Sequence, residues 1–176
     1  MDSIDYYERQ GSQYFEETID LDMTEHLQNF LERLPENAEV LDLGCGSGRD
    51  SRYLEEAGCY VTPMDGSPKM CSLAEIYTDL EVLCLTFEEM EFQEVFDGIW
   101  ASASLLHVAS KDMPRILKKV YDALKPGGVA YMSFQYGEGE EYRNGRFFCD
   151  YTEKKKKKLL QAESDFEILD IYQSDD

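Results

Sequence analysis

Short apolar runs alternate with amphipathic stretches along the chain. The runs at 39–43 (EVLDL), 59–64 (CYVTPM), 80–85 (LEVLCL), 96–101 (FDGIWA), 128–134 (GVAYMSF) and 166–172 (FEILDIY) predict six strands. They lack clean alternation, as expected of strands covered on both faces. Between them, Leu27, Phe30, Leu31 and Leu34 recur at helical spacing from Thr24 to Leu34, and Pro35 ends that helix. A second helix runs from Arg49 to Ala57, with Gly58 as its stop. Ser67 and Pro68 read as N-cap and first helical position of a helix reaching about Tyr77. Ile116, Leu117, Val120 and Leu124 share one face of a helix over 112–124, closed by Lys125-Pro126-Gly127-Gly128. Thr152 caps a last helix reaching Ala162. With no internal repeat and no linker, residues 1–176 read as a single α/β domain: a Rossmann-like, doubly wound sheet with helices on both faces.

The candidate chemistry begins where the first strand ends. Val40-Leu41-Asp42-Leu43-Gly44-Cys45-Gly46-Ser47-Gly48 is a strand running into a glycine-rich turn and then a helix. Glycines let the backbone turn sharply and approach a ligand closely, and the helix start adds unpaired N–H groups. Asp65 then ends the second strand, where a carboxylate can accept hydrogen bonds from both hydroxyls of a ribose. The pair asks for an adenosine-containing ligand. Arg49 stands where a dinucleotide fingerprint needs its third glycine, and no lysine followed by serine or threonine completes a P-loop. Asp42 would repel a pyrophosphate but suits a cationic amino group, which favours S-adenosylmethionine over a dinucleotide.

The run LDLGCGSGRDSRYL, then Asp65, then FDGIWASASLLHV and LKPGGVAYMSF, resembles the class I S-adenosylmethionine-dependent methyltransferases across residues 38–134. The GxGRD turn and a later aromatic segment are loosely similar to the tellurite-resistance group of small-molecule methyltransferases. The resemblance implies that Asp42, Gly44, Cys45 and Gly46 hold the methionine end and Asp65 the ribose. Gly66 and Ser67 would flank the adenine, and Thr86 and Phe87 would border its ring. Where many relatives carry an aspartate for the adenine amino group this chain has none, which leaves backbone groups or Glu88. Trp100, Ala101 and Ser102 would lie under the sulfonium, and the product would be S-adenosylhomocysteine. The family sheet has seven strands, the last one antiparallel. Six are legible here before Asp176, so the expected sheet lacks that strand and leaves an unpaired edge beside the fifth.

Transfer from a sulfonium needs alignment and exclusion of water more than acid–base chemistry. His107 is the candidate base, or else a structural histidine between Leu106 and Val108. Residues 134–148 read as a long polar and aromatic loop bordering the acceptor. Arg143 and Arg146 there either clamp an anionic acceptor or pair with Glu138, Glu140 and Glu141, and Arg146, followed by two aromatics, is the stronger candidate. Residues 1–20 carry Tyr6, Tyr7, Tyr14 and Phe15 and read as a lid over the donor or a staple to the core, with Tyr14 the leading residue. The run Lys154 to Lys158 reads as a solvated helix face.

Composition narrows the partners. Acidic side chains number 37 against 17 basic ones, a formal net charge of -20, and such a field repels nucleic acid and anionic membranes. Cys45, Cys59, Cys71, Cys84 and Cys149 form no metal-binding pattern, so no metal is expected, and free thiols suit the cytoplasm. The N-terminus has no basic-then-apolar signal pattern. The expectation is a cytoplasmic enzyme, monomer or homodimer, that methylates a small molecule. A donor-binding protein without catalysis and a protein methyltransferase are the alternatives.

Overall fold

The computed structural model describes residues 3–175. Helix α1 (Ser3–Thr18) and α2 (Thr24–Leu31) precede strand β1 (Glu39–Leu43). Then follow α3 (Arg49–Glu56), β2 (Tyr60–Asp65), α4 (Pro68–Thr78), β3 (Leu83–Cys84) and β4 (Phe96–Ala101). A short 3-10 turn at Leu105–His107 leads to α5 (Met113–Ala123), β5 (Leu124–Met132), β6 (Gly139–Arg143), β7 (Arg146–Asp150) and α6 (Glu153–Ala162). Strands β1 to β5 make one parallel sheet in the order β3-β2-β1-β4-β5. The order reverses beside β1, so the loops after β1 and β4 diverge there and open a crevice at the carboxyl ends of the strands.

Strand pleating sends successive side chains to opposite faces, and both faces are covered. Leu41, Leu43, Ile99 and Ala101 join the larger core under α5, with Met113, Ile116, Leu117 and Val120. Val40 and Trp100 point the other way, into a cluster with Leu27 and Phe30 of α2 and Leu54 of α3. Two-sided burial explains the unbroken apolar runs in β1 and β4. No helix among the described residues is long and apolar enough to cross a membrane.

The doubly wound α/β architecture holds, with five strands in the sheet instead of six. Residues 166–172 are not a strand. Their spacing is met by side-chain docking without a backbone ladder. Phe166 meets Tyr121 edge-on at 5.4 Å, and Tyr172 stacks on His26 at 5.7 Å with its hydroxyl 2.7 Å from His26 Nδ1. The stretch 80–85 shortens to the two residues of β3. The segment read as one long loop contains an antiparallel hairpin, in which Tyr142 pairs with Phe147 and Arg143 with Arg146 about a turn at Asn144-Gly145. The lysine run is not wholly solvated either. Lys155 and Lys156 lie one turn before buried Leu159, so helical periodicity swings both inward.

Candidate active site

Gly44 turns the chain at the end of β1 with φ +76°, and a Cβ there would lie 2.4 Å from that of Ser104. Only glycine accepts both the conformation and the contact. The turn is pinned from two sides. The N–H groups of Gly44 and Cys45 donate to Met64 O at 2.8 and 2.9 Å, and Ser104 Oγ donates to Leu43 O at 2.7 Å.

Asp65 joins that turn to the next helix. Its Oδ2 accepts from Gly46 N at 2.9 Å and its Oδ1 from Ser67 N at 3.0 Å. Each oxygen keeps a lone pair for another donor. Burial pushes the carboxyl above its usual range, and the backbone N–H donors of Ser67, Gly46 and Gly66 oppose that rise.

Asp42, buried in β1, accepts a hydrogen bond from Ser51 Oγ at 2.6 Å. Burial, then the charge of Asp50, push its pKa up to about 8. Asp50 is itself held by Arg49 at 2.8 Å and by the indole N–H of Trp100 at 2.9 Å. Arg49 also donates to Thr18 O at 2.8 Å, so its guanidinium is spent within the protein. The Asp42 carboxyl is thus held well above the ordinary carboxylate range, and a cation beside it would favour its ionised form.

Helix α1 lies across this crevice. Ile4 Cδ1 stands 3.2 Å from where a Cβ on Gly66 would sit, and Tyr14 Cε1 3.7 Å from where one on Gly46 would sit. Glu8 accepts from Ser67 Oγ at 2.6 Å and from Lys69 N at 2.8 Å, tying α1 to the start of α4. At the hairpin, Phe147 N donates to Ser3 Oγ at 3.1 Å. The Arg146 guanidinium lies over the rings of Tyr6 at 4.6 Å and Phe148 at 5.1 Å, and over Tyr7 and Tyr14 at 6.0 Å. Its Nε is buried without a hydrogen-bond partner.

His107 stands between α1 and β7. Nδ1 is 2.6 Å from Phe147 O and Nε2 is 3.0 Å from the Tyr7 hydroxyl. A carbonyl can only accept, so Nδ1 carries the proton and Nε2 accepts from Tyr7. Burial, assisted by the nearby Arg146 charge and opposed by the bond to Phe147, lowers the His107 pKa to about 4. Burial also raises the Tyr7 hydroxyl above its ordinary range.

Asp42, Gly44, Cys45, Gly46, Asp65, Gly66, Thr86, Phe87 and Ser102 border one cleft, together with Tyr7, Tyr14 and His107. Three expected residues stand behind its wall. Ser67 is buried as the cap of α4, Ala101 is core, and Trp100 is stacked on Tyr131 at 4.0 Å. Arg146 sits behind Tyr7, to whose hydroxyl it donates at 3.4 Å. Arg143 follows the ion-pair alternative, engaged by Glu141, Gln135 and Asp150. Ser51 and Ser104 lie inside the runs quoted above without a role assigned there, and Ile4 lies outside them; the fold brings all three to the site. No group of three or more His, Cys, Asp or Glu among the described residues is placed to hold a metal ion.

Residues 40–128 match a methyltransferase domain family. The chain is 34% identical over 98 residues to the cypemycin N-terminal methyltransferase of a Streptomyces species, a match covering 53% of this chain and 40% of that protein. The chain thus spans about two fifths of the curated relatives it matches. A Haloferax volcanii methyltransferase solved in complex with the Trm112 methyltransferase activator is 31% identical, with a TM-score of 0.64 over 78% of this chain and 63% of that one. The Burkholderia thailandensis 1,6-didemethyltoxoflavin-N1-methyltransferase, solved with 1,6-didemethyltoxoflavin and S-adenosylhomocysteine, shares the fold at TM-score 0.71. It is 23% identical and is covered to 72%, against 90% of this chain.

Proposed function

The chain belongs to the methyltransferase domain family, and from that premise we propose that it transfers a methyl group from S-adenosylmethionine to a small-molecule acceptor. The observation that carries the proposal is the pair of carboxyls, Asp42 and Asp65, set on either side of the glycine turn at the strand ends. The free lone pairs of Asp65 suit two ribose hydroxyls. Asp42, whose pKa burial raises, suits the donor's cationic amino group, because that charge favours the carboxylate form. Gly66, Thr86, Phe87 and Glu88 line the neighbouring wall, where an adenine ring fits.

The donor's sulfonium supplies an already activated methyl group, so the chain's residues have to bind, orient and exclude water. An acceptor lone pair displaces the sulfur in line, and the S–C electron pair leaves with the sulfur. Helix α1, with Ile4 beside Gly66 and Tyr14 beside Gly46, is placed to cover a bound donor on this reading. His107 is a positioning residue on this reading, because both of its ring nitrogens are already engaged.

Calorimetric titration with S-adenosylhomocysteine, with NAD as control, tests the donor site: the first binds and the second does not. Binding of NAD instead, or of neither, overturns the proposal. Likeness to the 18S rRNA (guanine-N(7))-methyltransferase bud23 of Schizosaccharomyces pombe, 30% identical over 153 residues, favours a second reading, methylation of a macromolecule. The charge of -20 opposes RNA as that acceptor. Incubation of a cell extract with methyl-labelled donor separates the two, since label passes into the ultrafiltrate for a small acceptor and stays with protein or RNA for a large one.

A further inference from the structure

We propose that the methyl acceptor carries an anionic group, a carboxylate or a phosphate, and that Lys156 receives it. This rests on the methyl-transfer reading above and specifies the acceptor's chemistry.

The lysine run separates by function once it is folded. Lys157 is paired with Glu153 at 2.9 Å. Lys155 donates to Asp150 O at 2.8 Å and lies over the Tyr151 ring at 4.4 Å. Lys156 borders the cleft with its ammonium 5.2 Å from the centre of the Phe134 ring; among the described residues that ammonium makes no hydrogen bond and no ion pair within 4 Å, and the charge that acts on it, Glu153, is itself paired with Lys157. Burial holds it below the ordinary lysine range. A half-buried ammonium with no anion in contact bears a desolvation cost that an incoming anion would relieve.

Its place in the fold suits an acceptor. Phe134 follows β5 almost directly. Beside it, Ser133 Oγ accepts from Ala103 N at 2.7 Å, and the adjacent Ser104 seals the Gly44 turn. Lys156 therefore stands at the same end of the sheet as the donor site, on the β5 side of it. Phe134 and Tyr151, 4.7 Å apart, supply an apolar wall beside the ammonium. The two arginines of the hairpin are otherwise occupied, Arg143 by Glu141 and Asp150, and Arg146 by the aromatic rings behind Tyr7. In a protein of net charge -20, whose overall field repels anions, a local cation on the cleft wall is what would let an anionic ligand bind there.

The test titrates protein saturated with S-adenosylhomocysteine with benzoate and, separately, with inorganic phosphate, following the amide resonances of Phe134, Tyr151 and Lys156. Saturable shifts with benzoate assign a carboxylate and with phosphate a phosphate. Lys156→Met should weaken the effective anion about tenfold. Lys154→Met changes net charge equally at an exposed position and should leave the affinity unchanged. No saturable shift with either anion, or equal weakening by both variants, overturns the inference. Weaker S-adenosylhomocysteine binding in Lys156→Met would assign the lysine to the donor's own carboxylate and overturn it too. If the protein takes up no S-adenosylhomocysteine, the same titrations on the free protein decide the anion site separately. A positive result there leaves the cation site standing while the methyl-transfer reading falls.

Discussion

Tyr7 donates its hydroxyl hydrogen to Nε2 of His107 across 3.0 Å, joining α1 to the turn after β4. The imidazole is held neutral because its pKa, about 4, lies well below the ordinary 6.5. The unfolded chain takes up a proton between those values and the folded one does not, so stability is full above about pH 6.5 and falls as pH drops toward 4. The loss amounts to at most ~3 kcal/mol. Denaturant unfolding at about pH 7 and about pH 4.5 should show this loss in the wild type and its absence in His107→Gln. Equal slopes in the two proteins would contradict the assignment.

Asp42 has the opposite sign. Its folded pKa of about 8, above the ordinary 3.8, means that the free protein keeps a proton the unfolded chain releases. Stability is therefore lost as pH rises through that window. Asp42→Asn should stabilise the empty protein at about pH 8 by on the order of 1 kcal/mol or more and abolish donor binding. Calorimetry in buffers of different ionisation heat should show about one proton released per S-adenosylhomocysteine bound at neutral pH. No proton release in the wild type would remove Asp42 from the amino-group site.

Gly44→Ala should cost at least about 2 kcal/mol, because it adds a left-handed backbone penalty to a contact that forces Ser104 out of place. Thermal melting measures the loss. A variant as stable as the wild type would mean that the turn can be rebuilt without glycine.

Arg146→Met should loosen α1 without unfolding the sheet. The variant loses the cation's contacts with Tyr6, Tyr7, Tyr14 and Phe148 and keeps the apolar stem. Hydrogen exchange of α1 amides should accelerate by about tenfold, while β1 and β4 stay protected. Uniform acceleration across the chain would make Arg146 a general stabiliser and not a specific tie for α1.

Much of the glycine turn and of the carboxyls beside it is legible in the sequence because these residues act through local backbone geometry. A strand ending in Gly44-Cys45-Gly46, followed by a strand ending in Asp65, specifies where two turns fall, and a parallel sheet places those turns side by side whatever packs around them. Trp100 was misread for a related reason. Its place in β4 was clear, but the alternation of faces sends its ring into the cluster under α2. The strand expected at 166–172 and the loop expected at 134–148 show the same limit: alternation reports which side chains are buried, and pairing depends on whether a partner edge lies beside them.

The sequence by itself determined the α/β class, the glycine turn, the two carboxyls flanking it and the acidity of the surface, since each is written in residues that are neighbours or follow a short period. Tertiary structure alone decided that Ser51 donates to Asp42, that Tyr7 meets His107 at a separation of 100 residues, and that Lys156 of the lysine run faces the cleft beside Phe134. These are meetings between distant segments. They depend on how α1, the hairpin and α6 settle against the sheet, and so on the burial of surfaces that no local pattern encodes.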